Sequence, residues 1–493
     1  MTKNRQSSSY HVAIIGGGII GTAILHELSK YRLRTVLLEK YHDVAEGVTK
    51  ANSGVLHAGF MVPNGTLKAR FNVEGARRYK ALANDFGIEV QQCKKLVVAK
   101  DDSELPYLKR LLDQGVKNEV RGLSLIAARQ IRNLQPNVAA KHALLSEHTA
   151  VTLPYQMAIA LAENAVLNGA EVCLNAEVCS IVPGPSGGYR IHTTAGAEVT
   201  ARLVINAAGI HADRIMRLLE PPAETAYPWR GEYILLEEAS SSVVDTAVYP
   251  VPPADGSGLG VHITPTVNGG ILLGPSAECI ADSTDTANTT EVLNRLQREA
   301  LALVPALKGV ETIKTYSGIR PKLFGPDSGV RFRDFVIEES ERFPGVLNLL
   351  GIESPGLTAA PAIATHVIDR FVASYTELSL KTNWAIRRRV IPRLRALSCE
   401  RKQRLWRENP AWGDLLCHCE QVSRAEVDGA LTNPLNAVSI NAIRKRTHAT
   451  LGRCQSSFCL GPIAAEIMRH GYDNRAVARG AEAAPVLSGV EKT

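Results

Sequence analysis

The glycine-rich turn near the N-terminus most restricts the fold of this chain. A short apolar run, His11–Ile15, is followed at once by Gly-Gly-Gly-Ile-Ile-Gly at residues 16–21, which fits G-x-G-x-x-G. Apolar residues at helical spacing come next, and a second apolar run, Thr35–Leu38, ends in Glu39. Strand, glycine turn, helix, strand and acid in this order are typical of a βαβ unit. The pattern predicts an α/β fold with a Rossmann-type dinucleotide-binding domain.

Each motif glycine has its own physical task. Gly16 makes the tight turn, Gly18 lets the backbone reach a pyrophosphate, and Gly21 lets the helix approach the strand. The phosphates then lie at the helix N-terminus, where unpaired N–H groups favour anions. Glu39 falls at the distance expected for an acid that binds ribose hydroxyls. We expect Gly16, Gly18, Gly21 and Glu39 to bind the cofactor.

Four cysteines near the C-terminus form a second pattern. Cys417 and Cys419 make a C-x-C pair, and after a gap of 34 residues Cys454 and Cys459 make a C-x4-C pair. Four thiolates suit an iron–sulfur cluster. The quartet resembles the [2Fe–2S] module of bacterioferritin-associated ferredoxin over about residues 411–475. A zinc site is the alternative, although zinc more often uses C-x2-C pairs, and purely structural cysteines are the third interpretation.

Five further cysteines show no ligand spacing and are predicted to be structural: Cys93, Cys173, Cys179, Cys279 and Cys399.

The predicted cluster bears on which dinucleotide the glycine turn holds. NAD and FAD share the ADP half, so the turn alone does not separate them. Nicotinamide passes two electrons as hydride, whereas a [2Fe–2S] centre takes one electron at a time. A flavin accepts hydride and returns electrons singly. We therefore predict FAD and a [2Fe–2S] cluster as cofactors.

Composition sets the broad class. The chain has 493 residues, 45% of them hydrophobic, and a formal charge of +7, which is ordinary for a globular protein of two or three domains. No stretch approaches the roughly 18 apolar residues of a membrane span. Thiols that must stay ligands fit a reducing compartment, so we expect a cytoplasmic protein. Nothing indicates a nucleic-acid partner.

Basic residues cluster between 387 and 404. A solvated helical linker is one interpretation. Docking to an acidic subunit, or peripheral attachment to the anionic inner face of the membrane, is the other.

Further blocks carry a family resemblance. Residues 52–59, 66–70, 230–233 and 259–265 resemble L-2-hydroxyglutarate dehydrogenases of the D-amino-acid-oxidase-like FAD superfamily, and the resemblance spans about residues 10–375. It implies that Ser53 lies in the flavin-binding segment and that Gly209 closes the turn after the last strand of the FAD domain. It also implies that a helix opened by Gly356, Leu357 and Thr358 faces the flavin ring.

The Tyr-Ser-Gly-Ile-Arg-Pro segment at residues 316–321 adds a substrate feature. Amino-acid oxidases and glycerol-3-phosphate dehydrogenases of the superfamily carry a similar Gly-x-Arg-Pro whose arginine binds the substrate anion. Arg320 is then an anion clamp, since a planar guanidinium suits a carboxylate or phosphate. The alternative is a surface ion pair beside Lys322.

The chain departs from both groups of relatives. Hydroxyglutarate enzymes generally lack the proline after this arginine and the cysteine module. The anaerobic glycerol-3-phosphate dehydrogenase catalytic subunit has both, yet its late Gly-Gly-Lys is replaced here by Gly-Ile-Glu-Ser-Pro at residues 351–355. That replacement removes a cation expected near a phosphate.

Two histidines are candidates for the catalytic base. His57 lies in the loop expected to pass the flavin, and His262 lies on a strand of the substrate domain. Imidazole titrates near neutral pH and can accept an alcohol proton. Structural roles are the alternative for both. Tyr233 and Glu232 are further candidates to line the pocket.

These inferences predict a dehydrogenase that oxidises a small anionic secondary alcohol, either a 2-hydroxy acid or glycerol 3-phosphate. Electrons would pass through the cluster to a partner subunit or quinone-linked carrier. An amino-acid or amine dehydrogenase, and an electron-transfer subunit without its own substrate, are the alternatives. The expected FAD domain is discontinuous and covers residues 8–80, 150–215 and 330–375. The substrate domain covers residues 81–149 and 216–329. A basic linker (376–410), a [2Fe–2S] domain (411–475) and a flexible tail (476–493) follow.

Overall fold

The fold was analysed in a computed structural model, which describes residues 8–222, 224–252, 260–388 and 390–472. The expected tail, 476–493, lies outside the described residues. In chain order the strands are β1 Ser8–Ile15, β2 Thr35–Leu38, β3 Val55–Leu56, β4 Val90–Gln92, β5 Lys95–Ala99, β6 Leu123–Ala127, β7 His142–Ser146, β8 Ala150–Thr152, β9 Glu171–Cys173, β10 Val178–Pro183, β11 Tyr189–Thr193, β12 Glu198–Asn206, β13 Tyr227–Leu236, β14 Ala247–Pro250, β15 Ile263–Pro265, β16 Ile271–Leu273, β17 Glu278–Cys279, β18 Thr312–Lys322, β19 Val336–Glu339, β20 Val346–Leu350, β21 Leu415–Cys417 and β22 Val422–Ser423.

The helices of the described residues are α1 Ile19–Leu28, α2 Leu67–Asp85, α3 Leu105–Lys117, α4 Ala128–Leu134, α5 Pro154–Leu167, α6 Ala212–Met216, α7 Thr290–Leu303, α8 Gly356–Val367, α9 Ala373–Tyr375, α10 Cys399–Glu408, α11 Arg424–Leu431, α12 Ile440–Thr447 and α13 Leu460–Arg469. None of them is both long and apolar enough to span a membrane.

The first large sheet is built on parallel strands. β1 lies between β12 and β2, with β9 beyond β2 and β20 beside β12, and all these pairs are parallel. β10, β11 and β19 add antiparallel edges. Val12, Ala13 and Ile14 are fully buried, as expected for a strand covered on both faces. The α/β class predicted from the glycine turn is confirmed, and the carboxyl ends of the parallel strands face one side.

The second large sheet faces that side. Its order is β17-β13-β16-β15-β14-β5-β7-β6, and β18 pairs with β13 in antiparallel register along its length. This register places Arg320 opposite Trp229. A small sheet, β3-β8-β4, lies in the connection between the two large ones. The strands of the second sheet therefore form a wall across from the glycine turn.

Helices α1, α5, α8 and α2 cover the first sheet and build its core. α1 contacts α5 and α8, and α8 contacts α2. The start of α2 is fixed by sequence, because the Thr66 hydroxyl caps it by accepting the Ala69 N–H at 3.1 Å. α8 begins at Gly356 with no acidic residue in its first turn. Its positive N-terminal dipole is therefore not neutralised by its own side chains.

A C-terminal helical unit, residues 411–472, packs against the first large sheet's helices. Its α11 starts at a capping box in which the Ser423 and Glu426 side chains each bind the other's backbone N–H. Apolar side chains of the unit share one cluster with the rest of the chain: Leu435, Ala437 and Ala442 with Val44, Ile159 and Ala162. The unit is thus docked by burial of apolar surface.

Buried charges flank this apolar contact. Lys445 binds Asp43 at 2.9 Å and Glu46 at 2.7 Å. Arg446 binds Asp43 at 2.7 Å and Glu163 at 3.0 Å. We call these five side chains the α12 ion-pair cluster.

The basic segment before this unit, predicted as a solvated helical linker or a docking surface, has two different parts. Helix α10 begins only at Cys399, and the chain ahead of it is irregular. Arginine side chains hold that stretch to the body: Arg387 donates to the Leu167 carbonyl, Arg388 to the Phe86 carbonyl, and Arg395 pairs with Glu238. The stretch ahead of α10 is therefore tied to the body, whereas α10 itself, with Arg401, Lys402 and Arg404, has no buried residue and is a solvated helix.

Candidate functional site

A cavity of about 1800 Å³ separates the two large sheets. It runs from the glycine turn after β1 to the face of β13 and β18. Pockets for single drug-sized ligands are usually about 300–1,000 Å³. The cavity therefore has room for a dinucleotide together with a small substrate.

The glycine turn shapes one end of this cavity. Gly16 has φ +107°, and a Cβ there would lie 2.5 Å from the Ala207 carbonyl oxygen. A Cβ on Gly21 would lie 1.9 Å from the Gly16 carbonyl oxygen. Gly18 differs, since its Cβ would meet only the Thr49 hydroxyl at 3.4 Å. Gly16 and Gly21 are required by packing, whereas at Gly18 the backbone is open to the cavity at the start of α1.

Glu39 lies beside this turn at the end of β2. Its carboxylate is buried and accepts the Gly17 N–H at 2.6 Å and the Tyr41 N–H at 2.9 Å. Burial raises its pKa, against the opposing effect of these two N–H donors. Together with the N-terminus of α1, this arrangement offers N–H donors for phosphates and an acid for a ribose.

Other expected cofactor contacts are spread along the same cavity. Ser53, Gly209, Gly356 and Leu357 all line it. Thr358 does not: it is fully buried, and its hydroxyl accepts the backbone N–H of His57 at 3.0 Å. Thr358 therefore holds the loop that carries His57, and its hydroxyl faces that loop instead of the cavity.

Both candidate histidines line the middle of the cavity. His57 Nδ1 lies 3.1 Å from Lys95 Nζ, and its Nε2 lies 3.4 Å from the Ser354 hydroxyl. Burial, Lys95 and His262 together hold the pKa of His57 well below its ordinary value. His262 stacks on the Tyr249 ring with centroids 3.5 Å apart. At neutral pH His57 is therefore an uncharged imidazole that can accept a proton.

Arg320 reaches the cavity from β18. Its guanidinium donates to the Ser276 carbonyl, and within the described residues no carboxylate forms an ion pair with it. The surface ion pair considered from sequence is therefore absent there. Lys322, two residues along the same strand, lines the cavity as well, and burial lowers its pKa. Alternate strand residues share a face, so two cations point toward one volume.

The two other side chains predicted to line the pocket, Tyr233 and Glu232, lie on different faces of β13. Tyr233 lines the cavity and stacks on Tyr316 at 4.8 Å. Glu232 points to the other face of β13, where it accepts the Thr289 N–H at 2.7 Å and pairs with Arg230 at 3.4 Å. The prediction that Glu232 lines the pocket was wrong, because neighbours on a strand face opposite sides.

Lys95 is a cavity residue that sequence reasoning missed. It opens β5 and is fully buried, with its ammonium 4.0 Å from the Tyr249 ring centroid. A lysine opening the apolar run Lys-Leu-Val-Val-Ala was the available signal, since such a position predicts an inward-facing charge.

The four cysteines of the C-terminal unit come together as two contacting pairs. Cys417 is hydrogen-bonded to Cys459, and Cys419 to Cys454. The bond from Cys459 lowers the pKa of Cys417 to about 6. Cys417 and Cys459 are almost fully buried, and a Cβ on Gly452 would lie 2.3 Å from the Cys419 Cβ.

The spacing of the pairs bears on the metal. A tetrahedral zinc site brings all four sulfurs around one ion at about 2.3 Å. In the described residues, the trio of ligand atoms lying within 4.8 Å of one another is Asp428, Glu466 and His470, and no three of the cysteine sulfurs form such a group. Within the described residues the four thiols are thus near one another without forming one tetrahedral group.

The parallel sheet, the glycine turn and the cavity beside them are those of a dinucleotide-binding protein. Comparison with known proteins specifies the family. Residues 11–370 match the family model described as FAD dependent oxidoreductase, DAO. The chain belongs to this family, so FAD is its cofactor and it is an oxidoreductase.

Three similar proteins indicate the kind of reaction. Glycerol 3-phosphate dehydrogenase of Caloramator mitchellensis is 35% identical, covering 98% of this chain and 99% of the relative. The mitochondrial L-2-hydroxyglutarate dehydrogenase of Arabidopsis thaliana is 30% identical over 73% of this chain and 83% of its own length. The FAD-bound L-alpha-glycerophosphate oxidase structure from Mycoplasma pneumoniae has a TM-score of 0.70 and 28% identity, covering 77% of this chain and 98% of that one. The activity common to these relatives is FAD-dependent oxidation of a small hydroxy substrate.

Proposed function

We propose that the protein is a dehydrogenase for a small anionic secondary alcohol, with glycerol 3-phosphate as the first candidate and an L-2-hydroxy acid as the second. The observation that carries the proposal is Arg320, a guanidinium without a carboxylate partner among the described residues, in the same cavity as His57. Glycerol 3-phosphate comes first because the relative of that name matches the chain over its full length, C-terminal unit included. Lys322 supplies a second cation for the same anion.

In this proposal the chain's own residues orient the alcohol and remove its hydroxyl proton. Arg320 binds the anionic end of the substrate through paired hydrogen bonds. His57, uncharged at neutral pH, accepts the hydroxyl proton at Nε2, and His262 borders the same space from the Tyr249 side. FAD, when bound, supplies the acceptor for the substrate hydride. Fixing the alcohol between clamp and base supplies a large part of the rate.

The proposed cofactor contacts follow the cavity. Gly16, Gly18, Gly21 and Glu39 would hold the ADP half, and the start of α8 at Gly356 and Leu357 would lie near the ring, with Ser53 and Gly209 between. The cradle fits such a group, because the backbone at Gly18 is open and a Cβ there would meet only the Thr49 hydroxyl at 3.4 Å. The discontinuous domain division and its boundaries remain part of this proposal.

We further propose that the cysteine quartet holds a [2Fe–2S] cluster. Cys417, Cys419, Cys454 and Cys459 would supply the four thiolates that such a cluster needs. When bound, such a cluster carries single electrons, and a partner subunit or quinone-linked carrier would receive them.

One anaerobic experiment tests the substrate and the clamp. The purified enzyme is mixed with glycerol 3-phosphate, L-2-hydroxyglutarate or amino acids, while absorbance follows the flavin and EPR follows the cluster. An anionic alcohol should bleach the flavin and produce a cluster signal. Arg320→Ala should lower kcat/KM about 10- to 150-fold, the equivalent of about 1.5–3 kcal/mol for a charged hydrogen bond. The exposed Arg298→Ala on α7 is the matched control and should keep the wild-type value.

Other outcomes would replace the proposal. Bleaching by amino acids alone indicates an amine dehydrogenase. No bleaching by any anion indicates an electron-transfer subunit.

A further inference from the structure

The buried lysine under His57 has an unusual set of neighbours. Lys95 is fully buried, and its Nζ lies 3.1 Å from His57 Nδ1 and 3.9 Å from the Met61 sulfur. The rings of Tyr249 and Phe60 surround it at 4.0 and 5.6 Å. No carboxylate within the described residues pairs with it. A buried ammonium without an anionic partner is costly, so this lysine has a physical reason to lose its proton.

The two protonation states of Lys95 set opposite tautomers of His57. An ammonium can only donate, so it leaves Nδ1 as acceptor and puts the imidazole hydrogen on Nε2. An uncharged amine can instead accept from Nδ1–H, which leaves the Nε2 lone pair facing the cavity beside Ser354. Only the second arrangement lets His57 take a proton from an alcohol.

We propose that Lys95 is a positioning residue of the oxidation, which acts through His57 by holding its basic tautomer and accepting its Nδ1 proton. This inference rests on the proposed function. As the substrate O–H bond breaks, its proton goes to His57 Nε2, and the Nδ1 proton passes to the lone pair of Lys95 Nζ. The carbon-bound hydrogen leaves with its electron pair to FAD, the oxidant that the family supplies. The alcohol becomes a carbonyl, and Lys95 becomes an ammonium that later returns its proton to solvent.

The titratable groups around Lys95 come from several elements. They are His57 on the loop after β3, Cys93 ahead of β5, Tyr249 on β14 and, behind it, His262. Burial lowers the pKa of Lys95 to about 7, with Cys93 opposing the shift. Burial also raises the pKa of Cys93 to about 11, so Cys93 is uncharged at neutral pH and gives the ammonium no anion.

Two substitutions at this position separate the proposal from a packing role. Lys95→Arg keeps a long cation but cannot accept a proton, because guanidinium stays charged in proteins. Lys95→Met keeps the volume and leaves His57 free to exchange tautomers. We expect the rate of anaerobic flavin reduction to fall at least about 100-fold in Lys95→Arg, and less in Lys95→Met, since a positioned base contributes about 10²–10⁴-fold. Lys94→Met, which removes an exposed ion pair with Glu147, is the control and should match wild type.

The pH profile provides the second readout. The rate of flavin reduction in the wild type should increase as pH rises through about 7 and then level off. In Lys95→Arg the rate should stay low at every pH, without this increase. Wild-type rates and pH profile in a Lys95→Arg protein with normal flavin content would overturn the inference.

A measurement that needs no turnover tests the lysine itself. With a pKa near 7 in the folded chain and about 10.4 when unfolded, the unfolded state binds one more proton between these values. The free energy of unfolding of the wild type should therefore rise relative to that of Lys95→Met as pH increases from 7 to 10. The Tm advantage of Lys95→Met should be largest at pH 7 and below and shrink toward pH 10. A constant difference would show that Lys95 stays charged. This result holds even if no anionic alcohol bleaches the flavin, so failure of the two proposals is distinguishable.

Discussion

At the scale of single residues, the positions of the first turn are glycine for two different reasons. Gly21 is small because α1 must approach the Gly16 carbonyl, where a Cβ would lie at 1.9 Å. Gly18 has no such packing constraint, and its ordinary backbone angles would accept alanine. Only a ligand arriving at the turn gives Gly18 a reason to be glycine.

This contrast gives a prediction with an internal control. Gly21→Ala should destabilise the apoprotein by about 1–3 kcal/mol or more, because the extra methyl overpacks the helix against the turn. Gly18→Ala should leave apoprotein stability close to wild type but reduce FAD affinity at least tenfold, since its methyl enters the phosphate space. Chemical denaturation of apoprotein and flavin titration measure the two effects. Equal losses of stability in both variants would contradict the distinction.

Residue-level prediction was possible where the reason was local. The turn at Gly16, the acid at Glu39 and the cysteine spacing are written within short segments. Lys95 and the burial of Thr358 were not foreseen, because their partners, His57 and the loop that carries it, come from distant parts of the chain. A sequence shows that a lysine opens an apolar strand, but it does not show which ring that lysine will meet.

At the scale of elements, helix α12 and the loop after β2 are joined by buried charge. Although burial opposes its ionisation, Arg446 and Lys445 hold the pKa of Asp43 below its ordinary value. Asp43 therefore stabilises the contact above about pH 4, and this contribution is lost as pH falls further. Glu46 in the same cluster lines the large cavity between the two sheets, so the contact reaches the proposed cofactor site.

Removing one cation of the α12 ion-pair cluster should be costly. Arg446→Met leaves Asp43 and Glu163 with too little compensating charge, and we expect a loss of about 3–5 kcal/mol in the free energy of unfolding. Without Arg446 the folded-state pKa of Asp43 moves up toward its unfolded value, so the deficit relative to wild type should be largest near neutral pH and shrink as pH falls below about 4. Arg78→Met, which breaks an exposed pair with Glu74, should cost only about 0–1 kcal/mol. Urea denaturation across pH measures the free energy of unfolding of both variants. Equal losses would show that the buried ion pairs contribute no more than an exposed pair.

Pairing between elements also limited what sequence could tell. The β1-α1-β2 unit follows from periodicity alone. In contrast, Arg320 faces the cavity only because β18 pairs with β13 in a particular register, with Arg320 opposite Trp229. A shift by one residue would turn Arg320 to the other face, and no local pattern fixes that register.

At the scale of the whole molecule, the C-terminal unit and the FAD-binding body share one core. Leu435 and Ala442 pack with Val44 and Ile159, so opening the unit exposes apolar surface on both sides. The two parts should therefore unfold together.

Heating provides the test of this coupling. The buried Cys459 should become reactive to an alkylating reagent at the temperature at which flavin fluorescence reports FAD release. Cys399, which is exposed, should react throughout and serve as the control. Alkylation of Cys459 well below the temperature of flavin release would mean that the unit opens independently.

The strand order of the first sheet has a consequence for synthesis on the ribosome. β1 pairs with β12, and β12 pairs with β20, which ends at Leu350. One edge of β1 pairs with β2 soon after synthesis, but the other edge waits for β12 and is exposed meanwhile. On the proposed cofactor contacts of the glycine turn, we expect FAD to load only after that sheet closes, late in translation. When translation is slowed before the β20 segment is made, cells should accumulate unfinished chains that need chaperone protection and contain no flavin.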